Sequence, residues 1–202
     1  MPVLSLDDRL ALLQADLLAD PPAFIMAREL PLAIFRYDPH TVEESEWLVR
    51  RKVQLLATQI QNQTQQPAVI LSLADLFWRS IEESEEIESL YALERAHSFS
   101  VAERQVHQYL SDPDFRPLCD LLREEEKRLP KKTRVLFLVH ATVFAPSAYR
   151  ISSLFEQLHR SFHTPAVLFY PGSWNHTLNY MGMRSDDQTL GSYRVKIYGR
   201  ES

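Results

Sequence analysis

Arg134 to Gly172, RVLFLVHATVFAPSAYRISSLFEQLHRSFHTPAVLFYPG, reads as strand, loop, helix and strand, and it decides the fold. Val135 to Val139 is an unbroken apolar run, expected to be the longest strand. Ile151, Leu154, Phe155, Leu158 and Phe162 then recur at helical spacing, and Ala166 to Tyr170 is a second buried run. Strands separated by helices predict parallel neighbours, because parallel strands need crossover connections. The loop between, His140 to Arg150, is built from apolar residues and proline. A phosphate-binding loop needs glycines, whose N–H groups close around the anion, and a lysine to pair with it. All four glycines, Gly172, Gly182, Gly191 and Gly199, lie beyond this loop, so glycine-loop nucleotide binding is disfavoured.

Outward from this unit the pattern continues. Ser5 and Asp8 match a capping box, and Leu6, Leu10, Leu13 and Leu17 follow at helical spacing up to Asp20-Pro21-Pro22. LAIFRY, 32–37, reads as a short buried strand closed by the turn Asp38-Pro39. Thr41 and Glu44 give a second capping-box pattern before a helix that buries Val49, Val53, Leu56 and Ile60 and runs to about Asn62. Pro67 introduces AVILSL, 68–73, a run expected in a strand covered on both faces. From Ala74 to about Leu129 only helical patterns occur. LADLFWRSIEESEEIESLYALERA is acidic along one side, a helix such as Val101 to Leu110 follows, and Asp112-Pro113 reads as cap and first-turn proline ahead of Phe115, Leu118, Cys119 and Leu122. Tyr193 to Tyr198 alternates as a half-exposed strand near a sheet edge. The expected architecture is a mainly parallel α/β sheet of about five strands with helices on both faces, in one domain, 1–202, carrying a helical insertion at about 74–130.

Composition narrows the partners. With 22 Lys+Arg against 27 Asp+Glu, the net charge of −5 gives no general attraction to a polyanion, so nucleic acid is disfavoured. The lone Cys119 cannot form an intramolecular disulfide or a multi-thiolate zinc site, and its helical spacing predicts an inert core thiol. Asp7, Asp8 and Asp16 do not suit a signal peptide, and no apolar run approaches the ~18 residues of a membrane span. A soluble, cytoplasmic protein is expected.

The candidate chemistry is sparse. Phe169-Tyr170-Pro171-Gly172 ends a strand at the edge where parallel sheets bind ligands, although proline stopping the strand and glycine turning it accounts for these residues. Trp174, Asn175, His176 and Asn179 follow as a polar and aromatic cluster with no nucleophile, base and orienter among them. His159 and His163 share i, i+4 spacing, but Arg160 stands where a metalloprotease has glutamate, so no metal is expected. His140 ends the central strand, either lining a cleft or satisfied as a buried polar residue. Ser147, Ser152 and Ser153 fit no nucleophile elbow. Asp38 and His40 flank a turn and could form an acid/base pair, although the Asp-Pro turn accounts for them without chemistry. No cofactor is expected.

Three groups of residues, taken in order, resemble a known family. The FRYDP turn, 35–39, the glycine-free VLFLVHATVFAPSAYRISSLFEQL unit, 135–158, and VLFYPG, 167–172, followed by YRVKIY, 193–198, look like BrxB, a small component of the bacterial BREX phage-defence systems. The resemblance covers most of the chain and is strongest from Arg134 to Tyr198. It implies a role in distinguishing self from phage DNA within an assembly that also holds a methyltransferase, a large ATPase and the alkaline-phosphatase-like PglZ. It carries no catalytic residues across.

Two functions compete. The first is a non-enzymatic adaptor that binds a larger defence protein, with a PglZ-like component the expected partner. Its anchors would be Trp78, Tyr91, Trp174 and Tyr180, and its acidic surface Glu82, Glu83 and Glu86. The second is a nucleotide- or nucleic-acid-binding sensor, or a hydrolase, using a cleft near His140, Tyr149, Arg150, Tyr170, Trp174 and His176. Direct nucleic-acid binding through Arg184, Arg194, Lys196 and Arg200 is least favoured by the overall charge, and it predicts a steep loss of affinity with salt.

Overall fold

The computed structural model describes residues 4–25, 31–145, 149–158, 161–175, 177–181, 189–190 and 195–199. Among these residues, seven α-helices and seven strands follow one another as α1 (Leu6–Leu18), β1 (Leu32–Tyr37), α2 (Glu46–Thr64), β2 (Ala68–Ser72), α3 (Leu73–Ser84), α4 (Ile87–Ala96), α5 (Phe99–Ser111), α6 (Leu118–Arg128), β3 (Val135–Val139), α7 (Ile151–Leu158), β4 (Ala166–Asn175), β5 (Thr177–Tyr180), β6 (Thr189–Leu190) and β7 (Lys196–Tyr198). A short 3₁₀ turn, Ala141–Phe144, lies between β3 and α7.

The five main strands are parallel in the order β2-β3-β4-β1-β7, and β4 continues into an antiparallel hairpin with β5, to which β6 adds. Alternation of side chains along β1, β3 and β4 divides the core in two. Ala33, Phe35, Phe137, Val167 and Phe169 pack under α1 and α2. Ile34, Leu136, Leu138, Leu168 and Tyr170 pack under α3, α5, α6 and α7. Each fully buried leucine, isoleucine or phenylalanine here contributes roughly 1.5–3 kcal/mol relative to exposure. The chain moves from β1 to β2 across one face and returns through β3 to β4 across the other, which gives these crossovers the same hand.

Prolines precede three of the strands, where a missing N–H costs no ladder bond. Their carbonyls still serve: Pro31 accepts from Ala166 N–H at 2.8 Å, Pro165 from Leu136 N–H at 2.8 Å and Pro67 from Arg134 N–H at 2.7 Å. The buried Arg134 guanidinium reaches the C-terminal end of α1, with Nε donating to Leu17 O at 2.8 Å and Nη1 to Asp20 Oδ1 at 3.1 Å. A cation there satisfies carbonyls that the helix leaves open. Ser5 and Asp8 close the expected capping box on α1.

Several expectations are corrected. β4, with ten residues, is the longest strand, and β3 has five. Pro171-Gly172 does not stop β4: a Cβ on Gly172 would lie 2.1 Å from Asn179 O, so glycine is needed for the close approach of β5 rather than for a turn. β2 is an edge strand whose Ile70 is 38% exposed, because the order of the sheet gives it one neighbour. α2 begins at Glu46 after Ser45, while Thr41 Oγ1 donates to Asp38 O at 3.0 Å and Glu44 turns inward. The acidic helix is two helices, broken at the extended Glu85. Asp112 closes α5, and α6 starts after Pro117. The helices α3 to α6 do fill the interval between β2 and β3, with no strand there. At the far edge, Lys196 to Tyr198 form β7 beside β1, and Tyr193 and Arg194 lie outside the described residues.

Candidate functional site

In an open parallel sheet, ligands sit beyond the C-terminal strand ends, where neighbouring strands send their chains to opposite faces. Here that place lies between β1 and β4, and the protein fills much of it itself. Arg36, buried at the end of β1, donates from Nε to Gly199 O at 3.0 Å and from Nη1 to Gly172 O at 3.4 Å. Arg9 of α1 donates to Arg36 O at 2.6 Å, pairs with Glu44, and lies over the Phe35 ring. Glu44 in turn accepts from Asp38 N–H at 2.8 Å, and the Tyr37 hydroxyl donates to Glu46. Burial, then the Glu46 carboxylate, pushes the Tyr37 phenol far up. Asp38 and His40 are not an acid/base pair: Asp38 Oδ1 accepts from His40 N–H at 3.0 Å, and the His40 ring reaches Met181 O at 3.3 Å.

One strand further along, the ends of β2 and β3 are joined. His140, in the left-handed conformation just after β3, places Nδ1 2.8 Å from Ser72 Oγ. Ser72 Oγ also accepts from Asp75 N–H at 3.2 Å as the cap of α3. One serine therefore ends β2, starts α3 and holds the His140 ring. His140 Nε2 is buried and has no hydrogen-bond partner among the described residues, so the third group that would orient a Ser–His nucleophile is not supplied by them. Continuing the β3–β4 register by two residues brings His140 abreast of Tyr170. Tyr170 is 1% exposed, meets Tyr180 edge-on at 5.8 Å, and has a hydroxyl with no partner among the described residues. Tyr180 donates to Ala141 O at 2.7 Å. Burial raises both phenols well above the usual tyrosine range.

The other expected cleft residues do not join this group. Tyr149 is buried against Phe144, with rings 5.0 Å apart, and lies 6.3 Å from His107. Arg150 is exposed at the start of α7. Trp174 lies on the hairpin, half-buried against the core. His176 lies outside the described residues, as do His159, Arg184 and Arg200. His163 is exposed, its N–H donating to Glu126 at 2.8 Å. No cluster of three or more metal-ligating side chains occurs among the described residues. Cys119 is buried and its thiol is pushed up by burial, then by Asp120, as an inert core thiol should be. Lys196 pairs with Asp16.

The helical interval presents a different kind of surface. Trp78 on α3 and Tyr91 on α4 are each 48% exposed, and Phe99 at the start of α5 is 57% exposed. α4 has no buried residue. Glu82 and Glu86 are exposed and carry no ion pair among the described residues. Glu83 is not part of a free acidic face: Arg79 Nε and Arg116 Nε each approach it at 2.6 Å. The same arginines bind Glu124 at 2.8 and 2.9 Å, tying α3 to α6. Arginine hydrogen bonds hold both carboxyls below their ordinary range. Glu85, in the break before α4, accepts from the Tyr109 hydroxyl of α5. Ser72, Phe99 and the Arg79–Arg116 network are absent from the candidates that sequence patterns supply. Phe99 carries the one available signal, an aromatic between two serines at a helix start.

No helix among the described residues is long and apolar enough to cross a membrane. No curated protein and no solved structure matches the chain. The model of one family, BREX protein BrxB, matches residues 69–196, from β2 into β7, and leaves the FRYDP turn outside the match. That span is more than half of the chain and includes the whole helical interval, β3, α7 and β4, so the chain belongs to the BrxB family and is a component of BREX phage defence.

Proposed function

We propose that this BrxB protein is a non-enzymatic adaptor that offers its α3–α5 surface to a basic face of a larger BREX component, a PglZ-like protein. The observation that carries the proposal is α4, a ten-residue helix with an apolar side and no buried residue. A helix of that length gains little from its own hydrogen bonds, and its stability comes from packing an apolar face. Trp78, Tyr91 and Phe99 add exposed aromatic area to the same interval, and aromatic residues dominate interface energies. The segment 73–111 holds eight Asp and Glu against three Arg, so it favours a basic counterpart. The test is a phage-plating assay with Trp78→Ala/Tyr91→Ala, alongside thermal unfolding. Defence should fall while the melting temperature stays within a few degrees of the parent. Full defence by the folded double variant would remove the proposal's support.

A second reading rests on the partnerless buried atoms, His140 Nε2 and Tyr170 OH, which favour a small polar ligand at the C-terminal end of β3 and β4. Thermal shift with a panel of nucleotides separates the two: a dose-dependent rise supports the ligand, and a flat response at millimolar concentrations counts against it.

A further inference from the structure

The two edges of the sheet are protected very differently. β7 is three residues long and carries Lys196, paired with Asp16 of α1, and both shortness and an edge lysine discourage strand addition. β2 is five residues long, AVILS, uncharged, and exposed at its centre. Its only strand neighbour among the described residues is β3.

The direction of its backbone groups follows from the ladder. Leu136 N–H turns toward β4 to meet Pro165 O, so Val135, Phe137 and Val139 present their N–H and C=O to β2. Pro67 O faces β3, where Arg134 N–H meets it, so Val69 and Leu71 face β3 as well. Ala68 and Ile70 therefore direct their N–H and C=O outward, and Ser72 directs its N–H outward while its C=O opens the first turn of α3. An occupant that satisfies such a row must itself be a strand.

Charge selects which strand. From Ala57 to Ala74, through the end of α2, β2 and the start of α3, no residue is charged, in a chain in which 24% of residues are. Two copies can meet here without like-charge repulsion, whereas copies meeting through the acidic 73–111 interval would repel. We infer that β2 pairs with β2 of a second copy, antiparallel about a two-fold axis at Ile70. In that register Ile70 faces Ile70 as a hydrogen-bonded pair, Ser72 N–H meets Ala68 C=O on either side, and Val69 meets Leu71 between them.

Light scattering during size-exclusion chromatography, from low to high micromolar protein, tests this. The parent should approach twice the 23.5 kDa chain mass. Ile70→Lys, at an already exposed position, should return it to a single chain mass while it still unfolds in one cooperative transition. Amide exchange gives a reading that needs no variant: Ile70 N–H should slow as concentration rises. A parent of single mass with fast Ile70 exchange throughout the range overturns the pairing. So does a folded Ile70→Lys that remains double. Slowing of Ile70 exchange only when a PglZ-like protein is added would assign the edge to that partner and overturn self-pairing too.

Discussion

Ser72 carries three structural duties on one hydroxyl. It accepts from Asp75 N–H, contacts His140 Nδ1 and stands where β2 becomes α3. Ser72→Ala loses a helix cap, about 1 kcal/mol, and leaves a half-buried histidine nitrogen without its partner, about 1 kcal/mol more. Urea unfolding should show a loss of about 2 kcal/mol, and a change below about 0.5 kcal/mol would contradict this assignment. Tyr109 gives a pH signature. Burial, then the Glu85 carboxylate, pushes its phenol up to about 12 from an ordinary value near 10. A raised value means the fold prefers the protonated phenol. That contribution is fully present below pH 10 and is lost as pH rises from 10 toward 12. Tyr109→Phe should unfold more easily at neutral pH yet lose less stability across that alkaline interval. An alkaline limb identical to the parent's would show that Tyr109 is not the titrating group.

At the scale of elements, α4 is the outlier. Its apolar side chains are at best half-buried, so its amides should exchange far faster than those of α2, which buries Val49, Val53, Leu56 and Ile60. Equal protection in the two helices would mean that something covers α4 in the free protein. The elements also show what was legible in the residues. Ser5 to Leu17 specified α1 because a capping box and a leucine stripe act locally. Val135 to Val139 and LAIFRY specified buried strands because continuous apolar runs have few other uses. The same logic misplaced β2, since an apolar run says nothing of how many neighbours the strand order supplies. It ended β4 too early, because Gly172 is a response to Asn179 seven residues on, a contact that exists only once the hairpin closes. Glu83 looked free because its second arginine, Arg116, is distant in sequence. Of the candidate cleft, His140 and Tyr170 come together through strand register, whereas Tyr149 is core and Arg150 is surface. The His140–Ser72 contact spans 68 positions, which no local pattern reveals.

The whole molecule depends on more than the residues that define its family. The match begins at Val69, yet β1 lies between β4 and β7 in the middle of the sheet, and α1 and α2 cover one entire face. Removing everything before Pro67 would expose Phe137, Val167 and Phe169 together. The remaining chain should aggregate or lack cooperative unfolding, and a soluble fragment with a sharp thermal transition would contradict this view of the core. The fold thus presents a sheet whose C-terminal end is largely plugged by Arg36, Glu44 and Tyr37, and a helical interval whose acidic and aromatic surface is exposed. On the adaptor proposal, a PglZ-like partner meets this interval and not the C-terminal end of the sheet. Size-exclusion chromatography with light scattering on this chain mixed with a PglZ-like protein of the same defence system is the experiment that decides it. A stoichiometric complex should form, Trp78→Ala/Tyr91→Ala should abolish it, and Tyr170→Phe, buried at the C-terminal end of β4, should leave it intact. Separate peaks for the parent chain, or a complex that the α3–α4 variant leaves intact and Tyr170→Phe dissolves, would contradict it.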